Sequence, residues 1–209
     1  MPKLVDPEER RRVVVDALFR VVVRDGMQRA SLRAVADEAG LNIGSLRHYF
    51  ASQAELMDFA MRAMIDRVSE RLVQRIEEVG DLSGRTGPER LRLVAGLLEE
   101  LLPLDDRRRA EVTVFLDFNA ASRTNPAFQP LAHKAAAGTR KLIFRALTRL
   151  AEERVLRPGL DLGVETERLA ALVDGLGLGA VLHPDALDAQ SCADVLHAHL
   201  RELTRSAGG

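Results

Sequence analysis

Residues 31–56 read SLRAVADEAGLNIGSLRHYFASQAEL, and this stretch decides the fold. Ser31 can cap a short helix over Leu32 to Glu38, with Leu32, Val35, Ala36 and Ala39 facing inward. Gly40 breaks that helix, and a second short one is predicted over Asn42 to Tyr49. Ser52-Gln-Ala-Glu55 then forms a capping box before a long amphipathic run carrying Leu56, Ala60, Met64, Val68, Leu72 and Ile76 on one face.

Two short helices around a tight glycine-containing turn match a helix-turn-helix, whose second helix enters the DNA major groove. Such a motif makes definite demands. Ala36 is small where the helices cross, Gly40 permits the turn, and Leu41, Leu46 and Phe50 anchor the second helix as core residues. The opposite face then holds Asn42, Ile43, Gly44, Ser45, Arg47, His48 and Tyr49. Arginine can bond a guanine edge with two parallel hydrogen bonds, and serine, histidine and tyrosine can bond phosphate oxygens. Gly44 costs a helix about 1 kcal/mol relative to alanine. Packing suggests no reason for it, whereas close approach of a DNA backbone would supply one.

Outward from this stretch the pattern stays helical. Asp6-Pro-Glu-Glu9 offers a cap, a proline at the first helical position and a reciprocal acid. Val14, Ala17, Leu18, Val21 and Val22 mark one face of a helix over about 6–25 that Gly26 stops. After a loop from Gly80 to Pro88, helices are predicted over about 88–102, 107–123 and 126–155, the last opened by Asn125-Pro126 and closed by Arg157-Pro-Gly159. Two more, about 164–182 and 188–205, flank His183-Pro184. With no alternating strand pattern and no internal repeat, the expectation is an all-α chain of about nine helices. Residues 1–51 form an amino-terminal three-helix domain with the helix-turn-helix, and residues 52–209 a second helical domain.

Composition excludes several classes. A 209-residue chain with 46% hydrophobic residues has ample material for a core. Net charge is −1, and residues 1–50 hold nine basic against seven acidic side chains, which permits an anionic partner there without requiring one. Cys192 is the single cysteine and has no disulfide partner within the chain. There is no apolar signal region at the amino terminus and no apolar run of about 20 residues to span a bilayer, so a soluble, cytoplasmic protein is expected, without a membrane partner. Of the five histidines only His197 and His199 lie close, and a spacing of two puts them on different helix faces. No nucleophile or metal motif accompanies them, so no catalytic residue, metal ligand or cofactor is predicted. An all-helical enzyme is the alternative from another class.

The stretch 31–56, with the residues from 8 to about 58 around it, resembles the DNA-binding domain of the TetR family of bacterial transcriptional regulators; chain length and helix count agree beyond it. The resemblance implies a homodimer reading a palindromic double-stranded DNA operator, most simply a repressor released by a small-molecule effector. An activator or a ligand-independent regulator is the alternative within the class. It places Ser31, Leu32 and Arg33 near phosphates, Asn42 to Tyr49 on the recognition helix, and Gln53 in the first turn of the following helix. Three positions depart from the family pattern. Ile43 and Gln53 stand where lysine is common, and Arg47 where tyrosine often stands, which implies a weaker salt dependence and more base discrimination at Arg47. Ile43 can meet a thymine methyl.

For the carboxy-terminal part, "DGLGLG" from Asp174 to Gly179 lies inside an apolar helical run, not after a strand, and nucleotide binding is rejected. Three helical glycines cost roughly 3 kcal/mol against alanines, and a closely approaching helix would offset that. Following the family, the last two helices make a four-helix dimer interface, with Leu169, Leu172, Gly175, Leu176, Gly179, Cys192, Val195, Leu196, His199 and Leu203 as candidates; packing within the subunit is an equally good reading for individual residues. The effector is expected among the fourth to seventh helices. Its candidate residues are Met61, Met64, Ile65, Leu98, Phe115, Phe118, Asn119, Ser122, Phe128, Leu131 and Thr139, with Asn119 and Ser122 as polar anchors. With no tryptophan and Tyr49 as the one tyrosine, an aromatic cage for a quaternary ammonium could use only phenylalanines there.

Overall fold

A computed structural model describes residues 7–80 and 84–204, apart from the side chains of Pro7, Glu8 and Val79. Among the described residues there are nine α-helices: α1 (Pro7–Asp25), α2 (Leu32–Ala39), α3 (Ile43–Tyr49), α4 (Gln53–Val79), α5 (Gly87–Leu98), α6 (Asp106–Ser122), α7 (Gln129–Glu152), α8 (Leu162–Leu182) and α9 (Ala189–Glu202). Two 3-10 turns, Met27–Arg29 and Glu99–Leu101, and one isolated bridge between Leu156 and Thr204 complete the pattern. The all-α expectation holds. The predicted Asp6 cap lies outside the described residues.

The chain forms two compact units, Met1–Asp66 with Thr113–Ala132 and Arg67–Val112 with His133–Gly209. In the first, the predicted face of α1 is buried, with Ala17, Leu18 and Val21 fully enclosed, together with Val35 and Ala36 of α2 and Leu46 of α3. Phe50 packs on Phe59 with ring centroids 5.1 Å apart, and Phe118 on Phe128 at 4.8 Å. Buried side chains of this kind contribute about 1.5–3 kcal/mol each. Arg20 and Arg24 of α1 both bond the Glu38 carboxylate of α2, at 2.7 and 2.8 Å, and so tie the two helices together at the surface.

In the second unit the core joins α5, α7, α8 and α9 through Leu98, Ile143, Leu147, Leu150, Leu169 and Leu196, all fully enclosed. Arg71 of α4 makes a two-pronged pair with Glu111 of α6, at 2.6 and 3.0 Å, and also bonds Glu100 at 3.3 Å. This satisfies the buried Glu111, which would be costly alone.

Several helix boundaries shift for local reasons. Asn125-Pro126 does not start α7: the Asn125 side chain accepts from the Ala127 N–H, the next residues form a turn, and the helix begins at Gln129. The helix predicted to reach 155 stops at Glu152, because Arg154 takes a left-handed φ of 56°. There Val155 N–H bonds the Leu150 carbonyl and Arg154 N–H that of Ala151, a Schellman end without glycine. The α-helix predicted to reach 102 becomes a 3-10 turn after Leu98, and Leu102, which precedes Pro103, is extended. Ile76, read as part of the apolar face of α4, is 46% exposed.

Candidate nucleic-acid interface

The elements of the interface are fixed by caps that the sequence announces. Ser31 accepts from the Ala34 N–H at 3.2 Å and starts α2. Gly40, at φ 66°, ends it with two returning bonds, Gly40 N–H to Asp37 and Leu41 N–H to Ala36. Asn42 lies just outside α3 as its cap, its side chain accepting from the Gly44 N–H at 2.7 Å. Ser52 caps α4 through the Glu55 N–H, while the Glu55 carboxylate reaches the Ala51 N–H rather than that of Ser52.

Anchoring by Leu46 and Phe50, both buried, turns the other side of α3 outward. Asn42, Gly44, Arg47, His48 and Tyr49 are exposed, and Ile43 and Ser45 are half-buried. Ser31, Leu32, Arg33, Ile43, Arg47 and Gln53 line one cleft of about 440 Å³. Six of the eleven residues predicted to meet DNA therefore come together from α2, α3 and the first turn of α4. Among the described residues neither Arg33 nor Arg47 has a carboxylate partner, so both guanidinium groups are available to an anion. His48 and Tyr49 lie edge to face at 5.8 Å, outside the cleft lining.

Two readings change. Gly44 has a local reason: a Cβ there would stand 3.1 Å from the Asn42 Oδ1 that caps the helix, so the glycine is no independent sign of a close DNA backbone. The same device recurs at α8, where Asp161 caps through the Gly163 N–H and a Cβ on Gly163 would stand 3.2 Å from its Oδ1. Gln53 also has an internal role that its sequence position does not reveal, since its Nε2 donates to the Met27 carbonyl at 3.1 Å.

The residues assigned to an effector fall in both units. Met61, Met64, Phe118, Phe128 and Leu131 are buried in the first, where Ile65, Phe115, Asn119 and Ser122 are half-buried; Leu98 is buried and Thr139 half-buried in the second. The polar pair is locally engaged: Asn119 Nδ2 donates to the Phe115 carbonyl and Ser122 Oγ to that of Asn119, both at 2.8 Å.

The residues assigned to a dimer interface also divide. Leu169, Leu176, Cys192, Leu196 and Leu203 are buried in their own subunit's core, which removes them from a surface role. Burial pushes the Cys192 thiol up, in keeping with a packing role. Gly179 has a neighbour inside the subunit, because a Cβ there would lie 2.9 Å from Leu187 Cδ2 and the leucine tip would have to shift. Gly175 meets nothing within 4 Å, Val195 is 40% exposed, and Leu172 and His199 are half-buried, the His199 Nε2 itself enclosed with no hydrogen-bond partner among the described residues. His197 instead pairs with Glu99 at 2.6 Å, so the two histidines do face different ways. Val164, Leu178 and Leu182 of α8, absent from the expected set, are 53, 47 and 59% exposed. No described helix is long and apolar enough to cross a membrane.

Comparison with known proteins agrees with this geometry. Residues 14–58 match the model of bacterial regulatory proteins, tetR family, and residues 88–205 that of the BetI-type transcriptional repressor, C-terminal. The chain is 35% identical over 204 residues to the HTH-type transcriptional regulator PksA of Bacillus subtilis (strain 168), covering 97% of this chain and 94% of that one. Among solved structures, a transcriptional regulator from Rhodococcus sp. Rha1 superposes with a TM-score of 0.77 at 26% identity, covering 92% of this chain and 95% of that one. A regulator from Saccharomonospora viridis in complex with choline gives 0.82 at 22% identity, covering 95% and 100%, a likeness of fold. These relatives are transcriptional regulators, and with matches to both its parts the chain belongs to the tetR family of bacterial regulatory proteins, as a DNA-binding transcriptional regulator.

Proposed function

We propose that the chain is a homodimeric repressor that holds a palindromic operator through α2 and α3 and releases it on binding a small-molecule effector. The observation that carries the reading is the cleft in which Ser31 and Arg33 of the α2 start face Ile43 and Arg47 of α3, with both arginines free of carboxylates among the described residues. Arg33 suits a phosphate and Arg47 a base edge, with Asn42, Ser45, His48 and Tyr49 flanking them. Residues 1–51 are assigned to DNA reading and 52–209 to effector binding and dimerisation. Repression, as the sign of regulation, rests on the repressor-type match of residues 88–205.

The partner subunit is assigned to the open face of α8 and α9, where Leu172, Gly175 and Val195 join Leu178 and Leu182. Large exposed apolar patches mark such contacts. Choline, present in the Saccharomonospora viridis structure, is not carried over as the effector: this chain has no tryptophan, and its single tyrosine, Tyr49, lies on α3. The enclosed Met61, Met64, Phe118 and Phe128 suit a mainly apolar molecule instead.

Recovery of the DNA fragments bound by the chain across its genome tests this. The reading expects a shared inverted repeat with half-sites about one helical turn, or a multiple of it, apart. Fragments without a common motif would overturn it, and a monomeric mass at micromolar concentration would overturn the dimer.

A further inference from the structure

The 3-10 turn Met27–Arg29, which joins α1 to α2, is held on both sides of one residue. Gly26, at φ 80°, turns the chain away from α1 after its own N–H has bonded the Val22 carbonyl. The next amide, Met27 N–H, therefore points off the helix, and its acceptor is Asp117 Oδ2 of α6 at 3.2 Å, ninety residues away in sequence. The Met27 carbonyl accepts twice, from Ala30 N–H at 3.2 Å and from Gln53 Nε2 of α4 at 3.1 Å. The Met27 side chain is itself buried. One peptide segment is thus fixed by α4 and α6 together.

The position of this segment sets that of the cleft. Ser31 N–H bonds the Arg29 carbonyl at 2.8 Å, and the Ser31 side chain caps α2, so a shift of the turn passes directly to Ser31, Leu32 and Arg33. On the far side Asp117 lies in α6 next to Phe118, which is 1% exposed and packs at a tilt on Phe128, so that this part of the helix is anchored in the core. A carboxylate is a strong acceptor for a backbone amide, and a bond at 3.2 Å leaves little room for displacement before it is lost.

We propose that Asp117 is a positioning residue for DNA recognition, presenting the start of α2 to DNA by holding the Met27 amide, with Gln53 as its counterpart on the Met27 carbonyl. This rests on the DNA-binding reading above. It makes Asp117 a determinant of operator affinity although it lines no part of the cleft. It also gives Gln53 a use that a lysine there, reaching for phosphate, would not serve.

The test uses the full chain and a site recovered by genome-wide binding. Asp117→Ala is expected to weaken site binding roughly tenfold, the loss of one hydrogen bond to a charged acceptor, and to accelerate hydrogen exchange at the Met27 amide. Asp117→Asn, whose Oδ1 can accept the same N–H, is expected to stay within about threefold of the parent and to keep the amide protected. Asp117→Leu, of similar shape and without an acceptor, replaces the alanine variant if that fails to fold. Unchanged site affinity in a folded Asp117→Ala or Asp117→Leu variant would overturn the proposal, as would an equal loss in Asp117→Asn. If the parent itself prefers no DNA site, the DNA-binding reading fails first.

Discussion

The Asn42 Oδ1 accepts a 2.7 Å hydrogen bond from the Gly44 N–H and would stand 3.1 Å from a Cβ added to Gly44, so cap and glycine form one unit at the start of α3. Asn42→Ala is expected to cost about 1 kcal/mol by removing the cap. Gly44→Ala gains about 1 kcal/mol of helix propensity and loses part of it as the exposed carboxamide moves aside, so its stability should stay within about 1 kcal/mol of the parent. Denaturant unfolding of the two variants checks this. A loss above about 2 kcal/mol in Gly44→Ala would mean that the carboxamide cannot yield.

At the end of α7 an arginine occupies a position that favours glycine. Arg154→Gly relieves the left-handed strain at φ 56° and should stabilise the chain by about 1 kcal/mol. The bonds from Val155 and Arg154 back to Leu150 and Ala151 are main-chain and survive the change. Thermal unfolding of the variant checks it, and a lowered midpoint would contradict it.

Gly175 and Gly179, four residues apart in α8, should respond differently. Gly179→Ala brings a Cβ to 2.9 Å from Leu187 Cδ2, so the leucine tip must shift; set against about 1 kcal/mol of helix propensity, the subunit should lose at most about 2 kcal/mol, a loss that Leu187→Ala partly restores. Gly175→Ala meets open space within the subunit and should leave its fold intact. If the partner seats on this face, Gly175→Gln should weaken dimerisation at least tenfold in sedimentation experiments, and an unaltered dimer would contradict that placement.

Glu38 gives the α1–α2 tie a pH dependence. Hydrogen bonds from Arg20 and Arg24 hold its carboxyl below the ordinary value of 4.5. Its contribution is thus present in full above about pH 4.5 and disappears as the pH falls through the lowered folded value. The thermal midpoint of Glu38→Gln should lie below that of the parent at pH 7, and the difference should shrink below pH 4. A gap that widens toward low pH would contradict this sign.

The sequence made the first unit legible because its signals are local. Gly40 at a left-handed helix end, Ser31 and Asn42 as caps, and the spacing of Leu46 and Phe50 each act within a few residues. The family motif added the identity of the outward face. What stayed hidden depended on distant partners or on exceptions to local rules. Arg154 ends α7 where no glycine announces it, and Asn125 uses its side chain for a turn that looks like a cap. An apolar stripe does not say which of its members its own subunit encloses: Leu196 is buried, while Val195, adjacent in sequence, is 40% exposed. Asp117 carried no signal at all, because its partner Met27 lies ninety residues away.

The central claim is that α3 discriminates DNA sequence through Arg47. It is tested most directly by measuring affinity for a recovered site and for random competitor of equal length, at one salt concentration, with the parent chain and with folded Arg47→Ala. The parent should prefer its site by at least about a thousandfold. Losing a bidentate base contact should reduce that preference by about 1–3 kcal/mol, roughly 5- to 150-fold, with much less effect on competitor binding. A parent that binds site and competitor equally, or a variant with undiminished preference, would contradict the account.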